Sequence, residues 1–220
     1  MADNLIIQKA VEEIESKSLA VTEQFLEIHE VVYDNGMPKI ARIDKDKEDG
    51  VAVVYFPVKD EKFYFSVYIN TRPDISIRWT GTEPHNSISF RAYSDTLSLE
   101  ELAQLSTLKH TGGRNKGDPK RTQDRTGILW KESTIFYEPN SEPDEFEDKL
   151  RKLLDFLERD KEGIAKLIDQ ANGCIQVAIE FHNGNTMLGG PHIDKNSLKR
   201  MANLNLEIDF DLYVSGRPFN

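Results

Sequence analysis

Val51-Ala52-Val53-Val54-Tyr55-Phe56-Pro57-Val58, then Lys59-Asp60-Glu61-Lys62, then Phe63-Tyr64-Phe65-Ser66-Val67-Tyr68-Ile69 is the stretch on which the fold turns. Both apolar runs are dense in β-branched and aromatic residues. In the second, Phe63, Phe65, Val67 and Ile69 alternate with Tyr64, Ser66 and Tyr68, the period of two that gives a strand two unlike faces. The four charged residues between the runs supply a turn, so the pattern predicts an antiparallel pair. Ile75, Ile77 and Trp79 alternate again and extend it to a meander. Its Phe face reads as core. Its Tyr face, Tyr64 and Tyr68 with Tyr55, Arg78 and Trp79 in neighbouring strands, either packs on an N-terminal helix or meets a partner, because Tyr, Trp and Arg are common interface anchors.

Working outward, Ile7, Ala10, Val11 and Ile14 stand at i, i+3, i+4 and i+7 and predict a short helix with one buried face. From Glu23 the period reads as two, and Asp34-Asn35-Gly36 after Val31, Val32 and Tyr33 suits a tight hairpin. Thr80-Gly81-Thr82-Glu83-Pro84 reads as a turn-rich boundary. Residues 1–83 are therefore expected to form a helix with an antiparallel sheet, residues 84–216 a second unit, and residues 217–220 a tail.

In the second unit strands alternate with helices. Ile88, Phe90 and Ala92 share a strand face, and Ser98 is an N-cap for a helix through Leu99, Leu102 and Leu105. Residues 108–126 lack apolar periodicity and read as a loop, and residues 128–137, with Trp130, as a strand. Ser141-Glu142-Pro143-Asp144 predicts a helix start with proline in the first turn, and Phe146, Leu150, Leu153, Leu154 and Leu157 give that helix its stripe. Ile175, Val177, Ile179 and Phe181 make a strand face; a Gly- and Asn-rich loop, a helix over 197–204 and a strand with Leu206, Ile208, Phe210 and Leu212 follow. The fold class is α+β: an N-terminal helix and antiparallel meander, then a mixed sheet with alternating helices.

The 220 residues carry 28 basic and 38 acidic side chains, a net charge of −10, which disfavours binding nucleic acid through overall charge. No run approaches the roughly 20 apolar residues that span a bilayer, and the first ten residues lack the apolar core of a signal peptide, so a cytoplasmic protein is expected. A single cysteine, Cys174, excludes an internal disulfide and any multi-cysteine metal cluster; at the start of an apolar strand it reads as a core residue.

The order of elements after residue 87, the step Lys116-Gly117-Asp118-Pro119, and the closing strand Leu206-Glu207-Ile208-Asp209-Phe210-Asp211-Leu212-Tyr213-Val214 together resemble the bacterial domain of unknown function 4279, over residues 87–216. The resemblance implies a bacterial source and no established activity. Small acidic α+β proteins of this kind also resemble immunity proteins, which neutralise a companion toxin by binding and occluding it. That implies a basic protein toxin as partner, no cofactor and no catalytic residues.

Three sets of residues are candidates for a site. Glu207, Asp209 and Asp211 lie on one strand face about 7 Å apart, either a solvated face, an acidic docking stripe for a basic partner, or part of a metal site needing ligands from elsewhere. The loop with Lys109, Arg114, Lys116, Lys120, Arg121 and Arg125 against Asp118 and Asp124 is +4, leaving −14 elsewhere, and is where phosphate would be attracted. It lacks the order of a phosphate-binding loop. His182 and His192 flank a loop beside Asp194, enough to begin a metal site but without the spacing of a zinc hydrolase. The expected function is thus a non-enzymatic protein-binding module contacting its partner through Glu207, Asp209, Asp211, Tyr64, Tyr68 and Trp79. The alternatives are a metal-dependent enzyme at the histidines, or a nucleotide- or nucleic-acid-binding regulator at the basic loop.

Overall fold

The computed structural model describes residues 2–45, 50–120, 127–184 and 188–219. In chain order the elements are α1 (Ala2–Ser16), α2 (Ala20–Ile28), β1 (Tyr33–Asp34), β2 (Met37–Pro38), β3 (Arg42–Asp44), β4 (Val51–Pro57), β5 (Tyr64–Asn70), β6 (Ser76–Glu83), β7 (His85–Ser94), α3 (Leu99–Gln104), β8 (Gly112–Arg114), β9 (Ser133–Tyr137), α4 (Phe146–Leu157), α5 (Lys161–Gln170), β10 (Asn172–His182), α6 (Lys195–Asn203) and β11 (Glu207–Ser215). Among the described residues no helix is long and apolar enough to cross a membrane.

The first sheet has the order β3-β4-β5-β6, all antiparallel, as the alternating runs predict. Asn35 and Gly36 take positive φ in the small β1–β2 hairpin, the conformation an Asn-Gly turn supplies. The helical stripe of α1 is Ile6, Ala10, Val11 and Ile14; Ile7 is only half-buried. Ile6, Ala10 and Ile14, with Phe25 of α2, cover Phe63, Phe65, Val67 and Ile69, so the Phe face is the core. Two expectations are corrected. Residues 20–28 form a helix although a period of two is expected from Glu23, and the Phe face, not the Tyr face, packs on the N-terminal helices. The period of two allows only one face to meet those helices, and the larger apolar area is on the Phe side.

The stretch Thr80 to Glu83 is also strand, not turn. β6 runs to Glu83, Pro84 lacks the amide proton that would continue the ladder, and β7 then enters the second sheet. That sheet has the order β11-β10-β7-β9-β8; only the β10–β11 pair is parallel, so it is mixed. One face is covered by α3 to α6, whose Leu102, Leu150, Leu153, Leu154, Ile164 and Leu167 meet Phe90, Ile135, Ile175 and Val177.

Ser98 caps α3 with a reciprocal capping box to Glu101, as its sequence predicts. Helix α4 begins at Phe146 with Glu145 as N-cap, so Pro143 lies outside its first turn. The helix starts later than predicted because the Asp144 carboxylate is engaged by Arg42 and Lys152. Trp130 lies outside β9, which starts at Ser133.

Candidate functional site

The register of β10 and β11 sorts the closing strand into two rows. Ile208, Phe210, Leu212 and Val214 stand opposite Ile175, Val177, Ile179 and Phe181 on the helix-covered face, whereas Glu207, Asp209, Asp211 and Tyr213 stand opposite Cys174, Gln176, Ala178 and Glu180 on the other. Helix cover ends before the strand does. Ile208 and Phe210 are packed in the core, but Leu212, Tyr213 and Val214 are 57%, 52% and 51% exposed. A cavity of about 280 Å³, with Phe146, Leu188, Glu83, Glu145 and Glu147 in its lining, reaches Ile179 and Phe181, the register partners of Leu212 and Val214. Among the described residues β11 is the last strand of its sheet and has no strand partner on its outer side. The structure thus brings Glu207, Asp209 and Asp211 together as one exposed row, with Asp211 accepting from Gln176 Nε2 at 3.1 Å. Burial, then the nearby Asp209 and Glu207 charges, push the Cys174 thiol up, which suppresses its thiolate.

The aromatic candidates are more enclosed. Tyr68 and Trp79 are cross-strand partners whose rings stack at 3.7 Å, and Tyr68 donates a hydrogen bond to Glu83. Tyr64 meets Tyr55 edge-on at 6.0 Å. Trp79 alone of the three predicted anchors is widely exposed, at 45%. These residues are on a different sheet from the acidic row.

Arg42 of β3, the register partner of Tyr55, reaches across to the loop before α4. Its Nη1 lies 2.8 Å from the Asp144 carboxylate and donates to the Pro143 carbonyl at 2.7 Å, and Lys152 Nζ holds the same carboxylate at 2.6 Å. Asp44, Asp144 and Asp148 converge as a carboxylate group, but Arg42, Lys152 and Arg151 are its counter-charges. It reads as an ion-pair clamp between the two sheets.

Beside the clamp, Lys149 is 3% exposed and donates from Nζ to the carbonyls of Asn86 at 2.6 Å and Asn140 at 3.2 Å. Burial pushes its ammonium from 10.5 down to about 8, against the pull of Glu138 and Asp144. A lysine that holds its proton less tightly folded than unfolded gains stability as pH rises through that window. We therefore expect wild type to gain about 2–3 kcal/mol on Lys149→Met between pH 7.5 and 10.5. Urea unfolding of both proteins across that range measures it, and a pH-independent difference contradicts it.

The described part of the basic segment is not a free loop: residues 117–120 pair with residues 128–130. Gly117 N–H donates to Trp130 O, Trp130 N–H to Asp118 O and Lys120 N–H to Ile128 O, each at 2.9 Å. Asp118 accepts from Asn115 N–H at 2.8 Å and Gly117 has φ of +88°, which accounts for the Gly-Asp step of the motif. Arg114 lies 3.4 Å over the Trp130 ring, Lys120 Nζ 4.5 Å over it, and Lys116 Nζ donates to Asp95 O at 2.8 Å. Three of the predicted cations thus have intramolecular partners; Lys109 is exposed, and Arg121 and Arg125 lie outside the described residues.

The predicted histidine cluster is redistributed. Asp194 caps α6, accepting from Asn196 N–H and Ser197 N–H, while the exposed His192 donates its backbone N–H to Glu147. His182, 1% exposed, instead meets His29 from the end of α2, Nε2 to Nε2 at 3.1 Å. Both atoms also approach the Arg217 carbonyl, at 2.9 Å from His182 and 3.3 Å from His29. Phe25, Phe63 and Phe219 surround the pair. His29 was missed because 153 residues separate the two rings.

A mixed sheet with helices on one face and an exposed acidic row on its edge strand defines an α+β domain. The family model described as "Domain of unknown function (DUF4279)" matches residues 82–215, more than half of the chain, and the chain belongs to that family. No curated protein and no solved structure matches it.

Proposed function

We propose that this chain is a non-enzymatic protein-binding module, in its most specific form a bacterial immunity protein of the cytoplasm that occludes a cognate toxin, and that β11 is its docking edge. The observation that carries the reading is the exposed run Leu212, Tyr213 and Val214 on a strand that ends its sheet among the described residues and also bears Glu207, Asp209 and Asp211. Natural edge strands are usually short or shielded, because an open, apolar one recruits another chain. Here the apolar end offers affinity through an added strand or a side chain seated in the neighbouring cavity. The carboxylate row offers steering toward a basic partner, an effect concentrated in the association rate. The basic segment supports this reading over nucleotide binding, since Arg114, Lys116 and Lys120 already have partners within the chain.

The test uses the protein encoded beside this chain's gene. Co-expression is expected to relieve its toxicity, and stopped-flow binding to be fast at low salt and strongly slowed by added salt. Asp209→Asn with Asp211→Asn should slow association several-fold, while Leu212→Glu with Val214→Glu should raise Kd at least tenfold. Absence of binding, or binding indifferent to both double variants, overturns the reading.

A further inference from the structure

The contacts among His29 Nε2, His182 Nε2 and the Arg217 carbonyl each fit a hydrogen bond singly, at 3.1, 3.3 and 2.9 Å, but not as a set. If both Nε2 atoms carry protons, the two N–H groups face each other across 3.1 Å. If only one does, the other nitrogen's lone pair confronts the carbonyl oxygen with no hydrogen between them. Three electron-rich atoms converge where a cation satisfies all of them.

We propose that His29 Nε2, His182 Nε2 and the Arg217 carbonyl oxygen form a binding site for a divalent transition-metal cation. Neighbouring ligands of a six-coordinate cation at about 2.1 Å lie about 3.0 Å apart, and the three separations here bracket that value. Two imidazoles with an oxygen ligand suit zinc, cobalt, nickel or copper rather than calcium or magnesium. The remaining coordination positions have a source. His29 and Arg217 border a cavity of about 370 Å³ that is also lined by Glu27, Asp60 and Glu61, which gives a cation an entry path, water and a negative field.

The local backbone is built for this approach. Gly216 has φ of +83°, and a Cβ there would come within 2.8 Å of Phe63 and 3.1 Å of His29. A side chain at that position would push the tail, and with it the Arg217 carbonyl, away from the rings. Phe25, Phe63 and Phe219 close the site's apolar side and fix the ring orientations. The cation joins the end of α2, the end of β10 and the segment after β11, so its role is to tie the N-terminal helices to the second sheet. The site is independent of the proposed partner edge.

The experiment uses the untagged full chain, stripped with chelator and titrated with Co²⁺ and then Zn²⁺. Wild type is expected to bind one Co²⁺ per chain with a visible d–d absorption band that Zn²⁺ displaces, and each metal should raise Tm. His29→Phe preserves the ring packing and removes a ligand, so it should weaken Co²⁺ binding at least tenfold and abolish the Tm rise, whereas His192→Ala should bind as wild type does. Circular dichroism confirms that His29→Phe is folded; should it not be, His182→Phe serves as the second ligand deletion. No saturable binding by wild type, unchanged binding in a folded ligand deletion, or loss of binding in His192→Ala overturns the assignment.

Discussion

Arg42→Ala is expected to lower the free energy of unfolding by about 3–5 kcal/mol, because it strands a fully buried carboxylate. Asp144 is held from two sides, by Arg42 at 2.8 Å and by Lys152 at 2.6 Å, and Arg42 also satisfies the Pro143 carbonyl. Removing the arginine leaves the carboxylate desolvated with half its counter-charge and the carbonyl without its donor. The pH dependence carries the same signature. Burial alone would raise the Asp144 carboxyl, but Lys152 and Arg42 outweigh it and hold it below its ordinary value of 3.8. A depressed carboxyl contributes stability that is present above its unfolded value and is lost as pH falls through the folded one. Without Arg42 that acid limb should move to higher pH. Urea unfolding at pH 7 and at steps down to pH 3 measures both effects, and a loss under about 1 kcal/mol would show the clamp to be a surface-like pair. Arg42→Leu with Asp144→Leu together should recover much of the loss, since a buried pair replaced by apolar groups costs little.

The clamp also shows where sequence reading stops. Strands β4 and β5 and helix α4 were legible because each buries one face, and burial leaves a period that the sequence repeats. The stripe from Phe146 to Leu157 lies in the second core as that period implies, and the capping box at Ser98 is a local motif with a local outcome. Short elements with mixed faces were not legible. Helix α2 has nine residues and buries only Thr22 and Phe25, too few to establish a helical repeat against its β-branched neighbours. Ile128 and Leu129 mimic a strand core yet are 52% and 53% exposed where they pair with Lys120 and Pro119. Asp144 looked like a helix-start residue because carboxylates favour that position; its true partner, Arg42, comes from another sheet.

The candidate sites divide along the same line. The carboxylate row of β11 follows from a period of two and needed no tertiary information, although which side of the strand would remain unpaired did. His182 was legible as a candidate ligand from its loop; the ring it meets was not, because nothing in the spacing of five histidines indicates that the end of α2 lies against the end of β10. Pairings that close long loops are written in packing, and one sequence records them only as isolated polar residues beside apolar runs.

Phe25→Ala should cost about 3–5 kcal/mol, the range for truncating a fully buried aromatic residue. The ring is 0% exposed and stacks on Phe65 at 4.5 Å and on His29 at 4.9 Å, with the His182 ring edge-on at 5.7 Å. Its loss opens a cavity between α2 and the Phe face of the first sheet, and it removes the surface on which His29 lies. Two measurements follow from that one truncation. Chemical unfolding should show the midpoint falling while the slope stays constant, the mark of a packing defect in an otherwise intact fold. Phe25→Leu should recover more than half of the loss, because it refills most of the volume without restoring the ring stack. A loss under 1 kcal/mol in Phe25→Ala would mean that α2 does not contribute to the N-terminal core, which would also remove the support that sets His29 against His182.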